Sequence, residues 1–204
     1  MSKNEEVVAK ILTFWFGELK DGIANPEKSS QWYEASAKFD EEVTSHFHAD
    51  YQKAKLGKLD DLAEHPRGAL ALIILLDQMP RNMFRGKAEA FETDLHALQI
   101  CLAGLEAKFD KQLAFAERLF FYHPLEHAES LEHQQLCVEL MADLMNEHKG
   151  NKRDIAKVAL KFALSHRNII EEFGRFPHRN AVLNRQSTSS ELFYLAEGGD
   201  RFGQ

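Results

Sequence analysis

Residues Ala69 to Leu76 are eight apolar side chains in a row, and they constrain the fold more than any other part of this chain. Such a run has to be buried on every side, as a strand in a covered sheet or as a helix at the centre of other helices. Its Ala and Leu content and the helical segments around it favour the helix. Ala69 to Met79 is therefore read as a central buried helix. Pro80 is taken to end it, because proline lacks an N–H and restricts the residue before it. A membrane span would need about 20 apolar residues.

The flanking sequence has helical periodicity too. Val7, Val8, Ile11, Leu12, Trp15 and Phe16 recur at helical spacing ahead of Gly17. Residues 18 to 30 read as a loop, and a helix is predicted from Trp32 to Leu56 with Gly57 as its stop. Phe91 to Leu105 carries Leu95, Leu98, Leu102 and Leu105 on one stripe. Asp110 is expected to cap a helix running through Phe121. Ser130 to His148 forms another, closed by Lys149-Gly150-Asn151. Asp154 is expected to cap the next, with Ile155, Val158, Phe162, Ile169 and Phe173 inward and Gly174 at its end. A polar loop then leads to a last helix, Glu191 to Ala196, for which Ser187-Thr188-x-x-Glu191 supplies a capping box.

The result is about seven or eight helices, no convincing strand and no linker between two cores, hence a single all-α domain over residues 1–204. The 11 Gly and 5 Pro are too few for a turn-rich β-sandwich, and the 15 Phe can fill a large core. No residue pattern repeats at the roughly 34-residue spacing of tetratricopeptide repeats. Cys101 and Cys137 sit in apolar helical patterns without a CxxC partner and read as reduced core thiols. The acids Glu5 and Glu6 at the N-terminus do not suit a signal peptide, so a cytoplasmic location is expected. A net charge of -7 argues against generic nucleic-acid binding.

Against this background certain polar residues stand out. Asp77 lies four residues after Ile73, on the buried helix, where a carboxylate needs a cation or several donors. Arg81 is four residues further on, but beyond Pro80, where the helix should break. The segment Gln78 to Lys87 contains Arg81, Asn82 and Arg85 and no acid. Gly174 to Ser190 contains Arg175, His178, Arg179, Asn180 and Arg185, again without an acid, where composition would place about three. Guanidinium groups are planar forks suited to carboxylate and phosphate. The arginines have a structural alternative: Arg175 and Arg179 can pair with Asp77, Glu129 or Glu171 inside the fold. His166 falls on the apolar face of its helix, as a hydrogen-bonded core residue or a functional one, and Arg167 follows it. His127 and Glu129 are read as a polar wall facing the basic loops.

His123-Pro124-Leu125-Glu126-His127 spells the inverted zinc-protease string. Pro124, however, suits the first turn of a helix, which would leave His123 at a cap, and no third ligand is evident, so no metal site is predicted. No Gly-rich phosphate loop, Gly-x-Ser-x-Gly elbow or dinucleotide fingerprint is present, and no cofactor is expected.

Four stretches taken together resemble the bacterial family called domain of unknown function 924. They are Phe14-Trp15-Phe16-Gly17, Leu76 to Gly86, Pro124 to Glu129, and His166 to Glu171 running into Phe173 to Asn180. The resemblance implies a helical array similar to tetratricopeptide-repeat proteins, a superhelix without the repeat consensus. It implies no reaction. Members commonly carry an apolar residue where this chain has His123 and Gly where it has Asn184. Asparagine also tolerates left-handed backbone, so the turn at Asn184 is expected to survive.

The leading functional expectation is a pocket for a small anionic ligand, phosphate or carboxylate, serving a hydrolase or transferase. Arg81, Arg85, Arg175 and Arg179 would hold the anion, with Asn82, Glu129, His166, Arg167, Asn180 and Arg185 around it. Asp77, His127 and His178 would be the acid–base groups. An alternative is a helical binding module whose groove takes a peptide or protein partner. RNA binding, with Phe84 and Phe176 as stacking platforms, is opposed by the overall acidity.

Overall fold

The computed structural model describes residues 3–33 and 36–202. Their regular structure is helical, with one isolated bridge between Lys20 and Ile23 and no strand. The chain is thus an all-α domain, and among its described residues no helix is long and apolar enough to cross a membrane.

Helix α1 (Lys3–Phe16) ends at Gly17, whose φ of +63° is the left-handed stop its sequence suggests. The segment expected to be a loop holds the first part of α2 (Pro26–Tyr33). Asn25 starts it by accepting from the Lys28 N–H at 2.8 Å, and Pro26 gives up a donor that a first turn does not use. A second break divides the helix predicted from Trp32 to Leu56. Helix α3 (Ala37–Lys55) begins after Ser36, whose hydroxyl accepts from the Phe39 N–H. Glu34 and Ala35 lie outside the described residues.

The central run behaves differently from expectation at Pro80. Helix α4 (Pro66–Ile73) passes into a single wide turn, Ile74–Gln78, and continues as α5 (Met79–Met83). In the wide turn the Met79 N–H reaches back to the Ile74 carbonyl, five residues away. That extra residue makes room for the proline ring, which would clash with the carbonyl four residues earlier in a regular helix. The Leu76 carbonyl, which Pro80 cannot serve, accepts from the Thr93 hydroxyl instead. The helix therefore survives its proline, and Arg81 stays one turn from Asp77.

Helix α6 (Asp94–Glu106) starts later than Phe91, which belongs to a separate short turn, Ala88–Phe91. Its buried face is Ala97, Leu98, Ile100, Cys101 and Gly104, whereas Leu95 is 67% exposed. Small residues set that face: a Cβ at Gly104 would lie 2.6 Å from the Phe121 ring of α7. Helix α7 (Phe115–His127) is not capped by Asp110, which lies in a turn of its own and accepts from the Tyr122 hydroxyl at 2.8 Å. Glu117 instead reaches back to the Ala114 N–H at 2.9 Å.

Helix α8 (Leu131–Glu147) begins at its Ser130 cap as predicted. Helix α9 (Gly150–Phe173) starts ahead of Asp154, which is therefore interior, and ends at Gly174. Val158 and Phe162 face solvent, 55% and 50% exposed. The inward face of α9 is Ala156, Ala163, His166, Ile169 and Ile170, and its alanines let α8 pack closely along it. Helix α10 (Ser189–Ala196) has the predicted box: Thr188 Oγ1 accepts from the Glu191 N–H and Glu191 accepts from the Thr188 N–H, at 3.2 and 2.7 Å.

Gly68 to Asp77, most of helix α4 and of the wide turn, are buried, and the two elements touch α1, α3, α6 and α7. Cys101 and Cys137 are buried free thiols. Asp77, at the end of this apolar centre, is where the fold brings its polar residues together.

Candidate functional site

Asp77 is completely buried on the wide turn. Moving a carboxylate there costs several kcal/mol unless partners surround it, and three side chains do. His127, at the end of α7, brings Nδ1 to 2.8 and 2.9 Å from the two carboxylate oxygens. Gln78 donates to Oδ2. Arg81 lies 3.4 Å from Oδ1 and also donates to the Asp77 carbonyl. Burial pushes the Asp77 pKa up, but the Arg81 charge and His127 outweigh it and hold the group well below the usual carboxylate range.

The same burial, with Arg81 close by, pushes His127 down to about 3. His127 is thus a neutral imidazole whose Nδ1–H donates to Asp77. Its Nε2 carries the lone pair, has no hydrogen-bond partner among the described residues, and is not sealed from solvent. The carboxylate fixes the tautomer, and the far nitrogen is left open to accept a hydrogen bond.

A second carboxylate completes the cluster. Asp94, in the first turn of α6, receives both arms of Arg81 at 3.0 and 3.1 Å. It also accepts from Arg179 at 3.4 Å, and the same Arg179 nitrogen, Nη1, donates to the His127 carbonyl at 3.2 Å. One arginine from each acid-free segment therefore converges on Asp94, beside Asp77 and His127. With His127 neutral, two carboxylates face two guanidinium groups and the cluster carries no net charge.

Arg179 is only 6% exposed, its guanidinium lying 4.6 Å from the Phe91 ring centroid and 4.5 Å from that of Phe176. Burial, with the repulsion of Arg81, lowers its pKa to about 10, so it remains protonated at neutral pH. Its Nε is buried without a partner, and Nη2 is neither bonded to a described residue nor sealed from solvent. Arg179 also lines a hollow of about 490 Å³. Ala88, Phe91 and Leu183 form the apolar part of its wall, and Glu89, Glu92 and Glu129 the acidic part.

The other expected residues go elsewhere. Arg85 takes both oxygens of Asp40 on α3, at 2.8 and 2.9 Å, and Asn82 bonds the same carboxylate at 2.8 Å. Arg175 grips Glu191 at 2.6 and 2.8 Å. Arg185 grips Glu129 at 2.6 and 2.9 Å, and Asn180 is buried between Arg185 and Ser187. Arg167 bonds its neighbour Asn168 at 2.7 Å. These side chains organise the loops rather than joining Asp77, and Arg175 does so through Glu191, not through Asp77, Glu129 or Glu171.

The histidines divide in the same way. His166 Nδ1 faces the Phe162 carbonyl at 2.9 Å and Glu126 at 3.0 Å, and its ring stacks on Phe202 at 3.6 Å. Burial pushes Glu126 up, but His166 outweighs it and holds the carboxyl at about 2. His178 packs against Phe176 and Phe202, its buried Nδ1 has no partner, and burial lowers it to about 3. His123 sits inside α7 rather than at its cap, stacked on His127 at 5.7 Å. Among the described residues, no three His, Cys, Asp or Glu side chains are grouped to hold a metal. Phe176 is fully buried and so is not placed for base stacking, whereas Phe84 is half-buried against Tyr51 and His48.

Sequence reading missed Asp94, Phe91 and Asp40. Asp94 did leave a signal: it is one turn ahead of Ala97 and two ahead of Cys101, on the stripe of small residues that α6 buries.

Fold and site define an all-α protein with a charge-compensated Asp–His–Arg cluster at its centre. The chain belongs to the family described as "Bacterial protein of unknown function (DUF924)", matched over residues 11–199. It is similar to the solved structure titled "Structure of Protein of Unknown Function ATU0120 from Agrobacterium tumefaciens", with a TM-score of 0.81 and 34% identity. That match covers 96% of this chain and 100% of the other. No curated protein is significantly similar to the chain.

Proposed function

We propose that the chain binds a small ligand through a carboxylate or phosphate group received by Arg179, and that His127, oriented by Asp77, is the proton acceptor of the site. The observation that carries this reading is Arg179 itself. A guanidinium that lines a hollow, held between two aromatic rings, bonded through one arm and unbonded through the other, is preorganised for an anionic group. The hollow's volume falls within the range of small-molecule sites. The open, unprotonated Nε2 is the atom that would take a proton in a hydrolase or transferase, once a bound anion offsets the burial and the Arg81 charge that hold His127 at about 3. The tetratricopeptide-repeat-like stacking implied by the resemblance belongs to the same reading, supported by the consecutive packing of α6 on α7, α7 on α8 and α8 on α9.

Thermal-shift measurements with inorganic phosphate, acetate and a panel of phosphorylated and carboxylated metabolites test it. At least one anion should raise the melting temperature of the native chain and leave Arg179→Gln unmoved. A native chain that no anion stabilises, or a variant that responds equally, contradicts the proposal.

A further inference from the structure

The hollow at Arg179 has a charge balance that an anion alone does not fit. Asp77, Asp94, Arg81 and Arg179 already compensate one another. Of the three glutamates in the wall, Glu92 is paired with Lys55 at 2.6 Å and Glu129 with Arg185 at 2.6 Å. Glu89 makes no side-chain hydrogen bond or ion pair to a described residue and shares the field of Lys55 with Glu92, so the wall keeps one negative charge in excess. A simple carboxylate arriving at Nη2 of Arg179 would add a second negative charge to the same hollow, and a phosphate dianion would add more. Like charges sharing a partly desolvated space repel, and specificity often rests on such exclusion.

We infer that the ligand is zwitterionic: an amino-carboxylate whose carboxylate meets Arg179 Nη2, whose ammonium group faces Glu89, and whose apolar portion lies along Phe91 and Leu183. The inference rests on the proposed role of Arg179 and narrows it from anions in general to carboxylates carrying a separate cation. An ammonium group beside Glu89 restores the balance that the carboxylate disturbs. The apolar wall between the charged ends suits methylene or aromatic groups, and Phe91 also forms one face of the Arg179 sandwich.

Calorimetric titration of the native chain compares ω-amino carboxylates of three to six carbons with plain carboxylates of the same length and with inorganic phosphate. The expected result is that at least one amino-carboxylate binds about fivefold tighter than its plain counterpart, the size of one favourable exposed ion pair. Glu89→Gln should remove that advantage while leaving the plain carboxylate's affinity equal or improved. Added salt should shrink the difference. Plain carboxylates or phosphate binding as tightly as every amino-carboxylate would overturn the zwitterion and leave Arg179 as an anion site. An amino-carboxylate preference unchanged in Glu89→Gln would overturn the assignment of the ammonium group to Glu89. No binding by any probe would overturn both readings.

Discussion

The hydroxyl of Thr93 donates to the carbonyl of Leu76, the backbone acceptor that Pro80 leaves without an N–H. This bond joins the start of α6 to the wide turn between α4 and α5. It lies between two residues of the polar cluster, since Thr93 precedes Asp94 and Leu76 precedes Asp77. Thr93→Val keeps the shape and removes the donor, leaving a buried carbonyl unpaired. It is expected to lower unfolding stability by about 1–3 kcal/mol in denaturant titration. Thr93→Ser, which retains the hydroxyl, should recover most of that loss.

The buried charges should be coupled. Asp77→Asn leaves Arg81 without one of its two carboxylates and is expected to cost about 3–5 kcal/mol. Arg81→Met should cost a similar amount, since it strands Asp77. In the double variant the two losses should fall well short of additive, because neither charge is then left alone. Additive losses in a double-mutant cycle would show that the two groups do not share one network.

Stability should fall as the solution is acidified through the histidine range. His127 has its pKa lowered from 6.5 to about 3 by burial and Arg81, and His178 is lowered to about 3 by burial and Arg179. Between those values the unfolded chain binds protons that the folded chain refuses, so stability is complete above about pH 6.5 and is lost as pH drops toward 3. One such histidine gives a slope of about 1.4 kcal/mol per pH unit inside that window. His127→Gln, which can still donate to Asp77, should flatten the profile. Asp77 and Glu126, both held below their ordinary values, extend the loss to lower pH.

A Cβ on Gly68 would lie 2.0 Å from the Leu62 carbonyl oxygen, a backbone atom that cannot rotate away. Gly68→Ala should therefore destabilise the chain by about 1–3 kcal/mol or more, measured by thermal unfolding.

Much of the fold could be read from periodicity and punctuation. Gly17, Ser130, Gly174 and the Thr188–Glu191 box set helix ends where local chemistry alone decides them. Asn184 keeps its left-handed turn, with φ +53°. Tertiary packing decided the rest. The leucines of α6 looked like its core stripe, yet Gly104 and the small residues beside it are what let α7 approach. Phe162 fits an apolar pattern on α9 and still faces solvent, because α8 packs on the alanine face. At the site, the types of residue were legible but their partners were not. Pro80 looked like a helix end, and only the wide turn, with Thr93 supplied from α6, keeps Arg81 in reach of Asp77. Arg81 and Arg179 met as the acid-free segments suggested, whereas Arg85, Arg175 and Arg185 were taken by carboxylates distant in sequence.

The most direct measurement is nitrogen-15 NMR of the histidine side chains across pH. The account predicts that His127 at pH 7 has a protonated Nδ1 and an unprotonated Nε2, that it stays neutral until the pH falls to about 3, and that Asp77→Asn disturbs this tautomer. A His127 that titrates near 6.5, or carries its proton on Nε2, would contradict it.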